Sequence, residues 1–523
     1  MDNTIDMQNV SKYIYNSFGA SAQIPSTYYH EISKWEDWYK GYVESFHKLI
    51  INNNAIITTR DRASLKFGYK LCSDWGSLLL SEDVKISIDD GSKSSGANKS
   101  SIFIQGTDGN DGGVLGSTKF WSKIHTSVQE MFGLGTMAII PNLLGIEVSE
   151  NGDIIRADNG SIDLVYTNAK YMLPISGSNG VIRECVFAYP IIQNNKRYLM
   201  IQAHMLEADG YVIYNTVLDG ANDVGTLFPN LCPKIKLPRF SPIFVTASPA
   251  LSNTVDFNSL LGMSILENSI DALKALDITY DSFSSAFVTG QTLIFMPSDL
   301  YGVDETTGKP ISPQDGRQSY MQIVDRDFVG GAETTIKDKV WSFSPELRVD
   351  DHDKAIQRHL DTISLLSGLG PKYYQSNGSV ISTATQFVGE RNELVRNIRK
   401  HSAILEDMIR DLVLNLLWLA KNVLKKNVSD TCKVTVNLSD GVLEDDTTAK
   451  ANDKADIALG VMSRLEYRMK WYNETEEVAR QKIADADTDI KSQRKTSVIE
   501  YKKAEQSNQE PVVQQQPDMK YKI

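Results

Sequence analysis

The amino-acid sequence predicts an α+β fold, and three observations support this prediction. Segments with apolar residues at three- and four-residue spacing, which is the helical period, occupy both ends of the chain. Between about residues 137 and 250, short runs rich in β-branched and aromatic residues alternate with turn sequences such as ENGD, DNGS and GSNG. The third observation is one helical pattern from about Thr383 to Leu424, which is much longer than the average helix of a globular domain.

The composition is that of a folded protein with an acidic charge balance. The chain has 523 residues, with 41% hydrophobic and 23% charged side chains and a formal charge of -12. Its length is too great for one ordinary hydrophobic core, so we expect several structural regions. The negative charge excludes general electrostatic attraction to nucleic acid, although it is compatible with a protein along which DNA must slide.

The cysteines and the apolar runs predict a protein of the reducing cytoplasm, or of an assembly built there. Cys72, Cys185, Cys232 and Cys432 form no CxxC pair, so free thiols are expected. The polar start MDNTIDMQNVSKY lacks a signal-peptide pattern. The longest apolar run, LVLNLLWLA over 412–420, is far below the roughly 20 residues that a membrane span needs. No membrane association is therefore expected.

The first part of the chain predicts three amphipathic helices joined by polar segments. Residues 1 to about 30 have no clear period and are expected to form a loosely ordered arm. Helices are predicted over 33–50 and 60–80, and a Gly- and Ser-rich stretch over 88–118 is expected to be a mobile surface loop. The third helix begins near Phe120 and ends at a glycine.

After the β-rich stretch, the predicted order is helix, short strands, helix, loop and long helix. A helix of roughly 45 Å is expected over 258–290, and a second helix ends at Gly368 and Gly370. The long helix over 383–424 would measure roughly 63 Å and has two adjacent apolar rows, which neighbouring elements or subunits must cover. A strand KVTVNL, two further helices and a polar, Gln-rich tail complete the chain.

The loop before the long helix is polar and carries a pair of tyrosines. Residues 368–387 read GLGPKYYQSNGSVISTATQF and contain no His, Cys, Asp or Glu. Long connections inside compact domains are uncommon and tend to be functional or disordered. Because the loop has no acid, base or thiol, we expect it to make contacts and not to perform acid–base chemistry.

No motif in the sequence supports a catalytic, metal or cofactor site. The stretch DGNDGG resembles the start of a calcium loop, but its twelfth position is Lys119 and not a glutamate. The TTGKPIS stretch around Lys309 lacks the earlier glycine and the Ser/Thr of a phosphate-binding loop. His352 and His359 share a helix face but have no third ligand. We therefore expect no enzymatic activity and no cofactor.

The order of these elements, together with several local stretches, resembles the portal proteins of tailed bacteriophages, especially the type common in phages of Gram-positive hosts. WEDWYKGYVESFHKL and LKFGYKLCSDWGSLLLSEDVKI are similar to the N-terminal helices of that family. NSIDALKALDITYDSF is similar to its stem helix, and LSGLGPKYY with STATQFVGERNELVRNIRKHSAILEDMI is similar to its tunnel loop and long wing helix. VMSRLEYRMKWYNETEEVARQKI is similar to its crown helices, so the resemblance covers most of residues 33–487.

The resemblance implies the parts of the portal fold, which assembles as a ring oligomer. These parts are a helical and β-rich wing, a stem of two long helices that flank a small α/β clip insertion, a tunnel loop, a very long wing helix and a helical crown. The implied ranges are 1–256 for the wing, 257–290 for stem helix 1, 291–345 for the clip, 346–370 for stem helix 2, 371–385 for the tunnel loop, 386–440 for the long wing helix and its strand, 441–490 for the crown and 491–523 for a disordered polar tail.

The implied function is that of a ring, usually of about twelve subunits, at one vertex of a capsid. Double-stranded DNA passes through such a ring during packaging and ejection, and the protein is expected in the virion after assembly in the host cytoplasm. The implied partners are further copies of the chain, the terminase large subunit, a head-completion adaptor, and the major capsid and scaffolding proteins. In this family the terminase hydrolyses nucleotide, which agrees with the missing phosphate-binding loop here.

Three sets of residues are candidates for contact with DNA or with partners under this resemblance. At the tip of the tunnel loop, one lysine and several uncharged side chains would touch DNA without holding it; they are Lys372, Tyr373, Tyr374, Gln375, Ser376 and Asn377. Asp277 and Asp281 of the stem helix are candidates to line the channel, because a negative lining repels a phosphate backbone. The clip candidates for contact with terminase or adaptor are Asp304, Lys309, Asp315 and Arg317.

Two other classes of function stay open at the level of sequence. A different structural protein of a virion, such as a scaffold or adaptor, would share the lack of catalytic motifs but would not explain the order of helix, clip, helix, loop and long helix. An enzyme with a site that no motif reveals would show convergent polar residues in a pocket and would form a smaller oligomer.

Overall fold

The computed structural model shows a mixed α+β protein, as the sequence predicted, and the chain divides into two compact units. One unit spans Met1–Ser439 and the other Asp440–Ile523. The residues that the structure describes are 7–19, 25–53, 56–80, 84–90, 98–107, 112–220, 222–225, 228, 231–290, 293–297, 302–303, 306, 310–311, 320–323, 341–344, 346–371, 373–374, 384–438, 446–472, 476 and 478–488.

The first part of unit one is mainly helical. Its helices are α1 (Met7–Phe18), α2 (Ser26–Lys40), α3 (Glu44–His47), α4 (Phe67–Leu79), α5 (Lys99–Gln105), α6 (Gly113–Ser117) and α7 (Phe120–Leu134). Its strands are β1 (Lys48–Asn53) and β2 (Ile56–Asp61), which pair as an antiparallel hairpin, and β3 (Lys85–Asp89). Helices α2, α4 and α7 pack on one another through apolar side chains, and the fully buried ones include Trp35, Trp75 and Phe132.

The helix predicted over 33–50 is in fact two helices and the start of a strand. Gly41 has a left-handed backbone with φ of 73° and ends α2, as glycine commonly does at this position. The rings of Tyr42 and Phe46, which follow, pack against the imidazole of His47. The prediction was wrong because an aromatic cluster around one histidine has the same residue spacing as an amphipathic helix.

Two further expectations for this region were also wrong. The helix predicted over 60–80 begins only at Phe67, because the preceding residues belong to β2 and to a short connection. The segment 88–118, expected to be a mobile loop, contains α5 and α6 among its described residues. Asn98 starts α5, since its Oδ1 accepts a hydrogen bond from the N–H of Ser101 at 3.0 Å.

Antiparallel sheets follow α7, as the sequence predicted. Their strands are β4 (Met137–Leu144), β5 (Glu147–Val148), β6 (Ile154–Arg156), β7 (Ser161–Asn168), β8 (Met172–Ser178), β9 (Val181–Gln193), β10 (Lys196–Glu207), β11 (Gly210–Asp219), β12 (Asn222–Asp223), β13 (Lys234–Leu237) and β14 (Val245–Ala247). The large sheet has the order β12–β11–β10–β9–β8, with β13 also paired to β11. A smaller sheet has the order β14–β4–β7.

Helix α1 packs on the large sheet and is not the loose arm that the sequence predicted. Val10 and Ile14 are fully buried, and they contact Val186 of β9 and Ile201 of β10 within one apolar cluster. Ile14 follows Val10 by four residues, which is about one helical turn, so both lie on the same face of the helix. The polar residues between them concealed this stripe, which is only three turns long.

Helix α8 (Ile270–Thr289) is shorter than the helix predicted over 258–290. Upstream of it, Gly262 approaches Gly135 so closely that a Cβ on Gly135 would lie 2.2 Å from the carbonyl oxygen of Gly262. That same carbonyl accepts a hydrogen bond from the hydroxyl of Tyr28 at 2.9 Å. Because the backbone here bonds to other elements, it is not free to continue a helix.

Short strands lie between α8 and the next helix, α9 (Val349–Leu366). They are β15 (Leu293–Pro297), β16 (Gly302–Val303), β17 (Pro310–Ile311), β18 (Tyr320–Ile323) and β19 (Trp341–Phe343). β15 pairs parallel with β18 and antiparallel with β19, and β16 pairs with β17. The two helices pack antiparallel, since the ring of Phe283 lies 5.6 Å from that of His352 and a Cβ at Gly290 would meet the side chain of Leu347.

Helix α10 (Ala384–Asn422) is the long helix that the sequence predicted. Its 39 residues correspond to a length of roughly 58 Å. It packs on α4, α5, β14 and the strand that follows, β20 (Lys433–Asn437), so elements of the same chain cover its apolar rows. The residues of those rows that are fully buried include Leu405, Ile409, Leu412, Leu416 and Leu419. β20 pairs antiparallel with β3 and returns the chain to its N-terminal region.

In unit two, the described residues form helices. They are α11 (Asp446–Leu459), α12 (Arg464–Tyr472) and a helical stretch over 478–488. The sequence predicted two helices here; Gly460, with φ of 75°, ends the first one earlier than expected. The indole N–H of Trp471 donates to Asp453 at 2.7 Å and connects α12 to α11.

Candidate functional site

At the base of the α8–α9 pair, several polar groups of the α3–α4 region converge on α8. Two carboxylates, Asp277 and Asp281, lie one helical turn apart and therefore share one face of α8. For Asp277, one oxygen accepts from His47 Nε2 at 3.1 Å and from Ser64 Oγ at 2.9 Å, and the other accepts from the N–H of Leu65 at 3.0 Å. Three donors from one segment thus converge on a single buried side chain.

The backbone sets the proton position on His47. The N–H of Val43 donates to His47 Nδ1 at 2.8 Å, so Nδ1 is the acceptor of the ring. The proton of the neutral ring is therefore on Nε2, which donates it to Asp277. His47 is fully buried, and its bond to Asp277 fixes the orientation of α8.

Asp281 makes the second connection, to the β1–β2 hairpin. The guanidinium of Arg60 donates two parallel hydrogen bonds to its carboxylate, each 2.8 Å long, and the N–H of Ala63 donates a third at 3.0 Å. These bonds stabilise the charged form, and Arg60 foremost holds the pKa of Asp281 below its usual range. Bidentate pairing of this kind fixes direction as well as distance.

Asp277 and Asp281, which were predicted to line a channel, are both buried, and their place in a channel stays a prediction. They are 4% and 8% exposed, and both carboxylates are bonded within the subunit. A carboxylate that is buried in its own chain presents no free charge to a passing phosphate backbone. The sequence could not reveal this, because the donors lie more than 200 residues upstream.

The end of α9 is anchored through its backbone carbonyls. Gly368 and Gly370 have left-handed backbones, with φ of 78° and 86°, and stop the helix as predicted. The indole N–H of Trp75 donates to the carbonyl of Ser367 at 3.2 Å, and Asn397 Nδ2 donates to the carbonyl of Gly368 at 2.8 Å. Helices α4 and α10 therefore both hold the point where the polar loop begins.

Tyr374, one of the residues predicted to contact DNA, is bonded to α4, and its contact with DNA stays a prediction. Its hydroxyl donates to Asp74 at 2.8 Å, and its ring packs edge-on against Phe67 at 4.8 Å. Burial raises its pKa, and the neighbouring Asp74 raises it further, so the phenol stays protonated. The ring of Tyr373 lies 4.9 Å from that of Tyr374 and shares this position beside α4.

The other predicted contact residues lie outside the described residues. They are Lys372, Gln375, Ser376 and Asn377 of the predicted tunnel loop and Asp304, Lys309, Asp315 and Arg317 of the predicted clip. Within the described part of the chain, no three metal-binding side chains come together. None of its helices combines the length and apolar character needed to cross a membrane.

Comparison with known proteins leaves the family open. No protein-family model matches this chain, and no curated protein matches it. Among solved structures, a chain of "Virion of native gene transfer agent (GTA) particle" is 10% identical, with a TM-score of 0.34 over 77% of this chain and 88% of that chain. A TM-score this low does not establish a common fold.

Proposed function

We propose that this chain is the subunit of a portal-type ring at one capsid vertex of a tailed phage. Double-stranded DNA passes through the ring during packaging and ejection. The observation that carries the proposal is the antiparallel pair of α8 and α9, which encloses small strands at one end and is anchored at the other. The pair leads through a polar loop into the 39-residue helix α10. This is the order of stem, clip, stem, tunnel loop and wing helix that the sequence resemblance implies.

The exposed surface of the helix pair supports association with further copies of the chain. An antiparallel pair buries only one side of each helix, and several large apolar side chains of α8 and α9 stay exposed: Ile278, Phe287, Val288, Leu365 and Leu366. Exposed apolar surface of this extent on a rigid element is typical of an interface. A contact that repeats head to tail closes into a ring when the rotation between copies allows it.

In this proposal, the polar loop after α9 contacts DNA, while Tyr374 fixes its first turn to α4. Lys372, Gln375, Ser376 and Asn377 are the proposed contact residues. Charges that face the DNA come from residues other than Asp277 and Asp281. The proposed partners of the ring are the terminase, the head-completion adaptor, and the capsid and scaffolding proteins, and its place is the virion. The ring itself hydrolyses no nucleotide in this proposal.

Negative-stain electron microscopy with light scattering tests the proposal. The expected result is a ring with a central hole, and twelve copies of the 58.3 kDa chain would give roughly 700 kDa. Particles from infected or co-expressing cells are examined too, so that partner proteins needed for assembly are present. A monomer or dimer in every preparation, with no ring in any image, would overturn the proposal.

A matched pair of variants tests the surface that forms the ring. Leu365→Asp places a charge on the exposed apolar face of α9, where the side chain is 53% exposed, and is expected to abolish rings. Ile192→Asp alters an equally apolar residue of β9 that is 78% exposed, and is expected to leave rings intact. Circular dichroism shows whether both variants keep their fold. Equal ring yield from the two variants would contradict this assignment of the interface.

A further inference from the structure

A cavity of about 510 Å³ lies between the C-terminal end of α1 and the edge of the large sheet, away from the base of α8 and α9. Aromatic rings form much of its wall, and polar side chains from β11 and β12 complete it. The lining residues that matter below are Tyr13, Phe18, Tyr214, Asn215, Asp223 and Phe228. The cavity is partly open to solvent and is large enough for an extended side chain or a small organic molecule.

Asn215 contributes an acceptor that has no donor. Its Nδ2 donates to the carbonyl of Cys232 at 2.9 Å, which settles the orientation of the amide. Its Oδ1 is buried and lacks a hydrogen-bond partner among the described residues, although Asn215 is only 7% exposed. Because less than 1 Å² of this atom is exposed, a ligand in the cavity does not reach it, and the polar groups of the wall that a ligand can meet include those of Asp223 and Thr216.

The charges around the cavity favour a cation. The Oδ1 atom of Asp223 is held by Thr216 Oγ1 at 2.7 Å and by the N–H of Gly225 at 2.9 Å, which keeps the carboxylate in place at the wall. Ser17 and Phe18 belong to the last turn of α1, where the helix dipole has its negative end. No lysine or arginine is among the described lining residues, and the nearby ammonium of Lys234 lies against the ring of Tyr214, 4.0 Å from the carboxylate of Glu207.

The aromatic walls favour a cation as well. The faces of tyrosine and phenylalanine rings attract ammonium and guanidinium groups. Tyr214 already shows this behaviour toward Lys234, whose Nζ lies 4.9 Å from the ring centroid. Burial raises the pKa of Tyr13, so its hydroxyl stays neutral and its ring keeps an electron-rich face.

We propose that this cavity binds an organic cation with N–H donors, namely a guanidinium or primary ammonium group on an alkyl chain. The positive charge and its N–H donors face the carboxylate of Asp223, and the alkyl chain packs against Tyr13 and Phe228. The cation is either an arginine or lysine side chain of another protein chain or a free amine. The proposal does not depend on the ring, because every group that carries it belongs to one subunit.

Isothermal titration with agmatine, which joins a guanidinium and an ammonium group by four methylenes, tests the proposal on the full-length protein. We expect saturable binding of one agmatine per chain and none of the neutral analogue N-butylurea. Asp223→Asn keeps the shape of the side chain but removes its charge, and should weaken binding about tenfold. Asp209→Asn, in the exposed turn between β10 and β11 of the same sheet, is the matched control and should bind like the parent.

Two results would overturn the proposal: no saturation by about 10 mM agmatine, or equal affinity in Asp223→Asn and Asp209→Asn. Tyr13→Leu provides a second variant if Asp223→Asn does not fold, since it removes one aromatic face and should also weaken binding. Comparison of assembled and dissociated protein then identifies the source of the cation. Binding to both forms indicates a free amine, whereas binding only to the dissociated chain indicates a side chain supplied by a neighbour.

Discussion

At the scale of single residues, buried polar side chains determine where α8 lies. Asp277 accepts three hydrogen bonds and Asp281 accepts three more, all from the segment that connects α3 to α4. Apolar contacts tolerate small rotations of a helix, but a buried carboxylate with fixed donors does not. These two aspartates therefore specify the rotation of α8 about its axis as well as its position.

The exchange Asp277→Ala tests this role directly. Removal of the carboxylate leaves the donors of His47, Ser64 and Leu65 without an acceptor, and should lower the free energy of unfolding by about 3 kcal/mol. Urea denaturation followed by circular dichroism measures this decrease in the free energy of unfolding. Asp271→Ala on the same helix is the control; its side chain is 95% exposed, and a change of only about 0.5 kcal/mol is expected. Equal losses from the two variants would refute the role of Asp277.

His401 makes stability depend on pH. It is 4% exposed, packs against Trp75 and Phe132, and accepts the N–H of Ala250 on Nδ1 at 3.0 Å. Burial, with a smaller effect of Lys400, lowers its pKa to about 4, from an ordinary value of 6.5. The unfolded chain therefore takes up a proton at higher pH than the folded chain does. The stability from the neutral ring is complete above pH 6.5 and is lost as pH falls towards 4.

We expect unfolding in urea to become easier between pH 6.5 and 4.5, with up to about 3 kcal/mol of the change due to His401. His401→Asn retains an acceptor for the backbone N–H of Ala250 but cannot be protonated. This variant should be less stable at neutral pH, because packing is lost, yet show a smaller decrease on acidification. A second buried imidazole, His204, whose pKa burial lowers to about 3, leaves part of the decrease in place. An unchanged pH dependence in His401→Asn would contradict the assignment.

At the scale of elements, the contact between the end of α7 and the segment before α8 determines where the α8–α9 pair starts. Gly135 combines a left-handed backbone, φ of 90°, with a carbonyl oxygen 2.2 Å from where its Cβ would be. Ile265 N–H donates to the carbonyl of Phe132 at 3.0 Å and closes the same junction. Both requirements, conformation and space, are met by glycine alone.

Gly135→Ala separates these two requirements when it is compared with Gly180→Ala. Gly180 has a similar φ of 77°, but a Cβ there meets no atom within 4 Å. Gly180→Ala should lower the free energy of unfolding by about 1 kcal/mol, because of backbone strain alone. Gly135→Ala should lower it by about 3 kcal/mol or more, because the added Cβ also clashes. Thermal unfolding of both proteins measures the difference. Similar melting temperatures of the two variants would show that the backbone around Gly135 shifts to admit the Cβ with no additional loss of stability.

Elements with a strong local pattern were predictable, and those defined by distant partners were not. The long helix α10 was found because its rows recur over many turns, and α7 because a glycine ends it. α8 was predicted about twelve residues too long, since no local signal shows that the carbonyl of Gly262 bonds to Tyr28. α1 was missed because its burial depends on a sheet that begins more than 150 residues later.

The anchor residues of the candidate site follow the same rule. The loop after α9 was located from its glycines and its polarity, but the position of Tyr374 was not, since its acceptor Asp74 is 300 residues upstream. The buried state of Asp277 and Asp281 escaped prediction because an exposed acid and a paired acid have the same place in a helical pattern. His47, Arg60 and Trp75 gave no motif at all, because each acts through one distant partner.

At the scale of the whole molecule, the net charge of -12 still favours a surface along which DNA does not stick. It does not identify which residues would face DNA in the proposed ring, however, because some of the acids are buried in pairs with bases. The contact proposed for the polar loop is therefore the sharper test. It concerns four residues whose replacement leaves the anchor at Tyr374 unchanged.

In particles assembled with variant subunits, Lys372, Gln375, Ser376 and Asn377 are replaced together by glycine and serine. We expect these particles to package or retain DNA less well, because the weak phosphate and hydroxyl contacts around the ring are lost. Tyr374→Phe is the control for the anchor; it removes the bond to Asp74 but keeps the ring against Phe67. Normal packaging and retention in the four-residue variant would exclude the loop as a DNA contact.

The pairing of Asp277 and Asp281 with the β1–β2 region also has a mechanical consequence. A force or torque on the C-terminal end of α8 is not carried by the backbone of that helix alone. Part of it passes through the side-chain bonds to Arg60 and His47 into the rest of the chain. The stretch over residues 47–65 therefore supports α8 from the side at two points one turn apart. Under tension, these side-chain bonds share the strain and are expected to part before the helix unwinds.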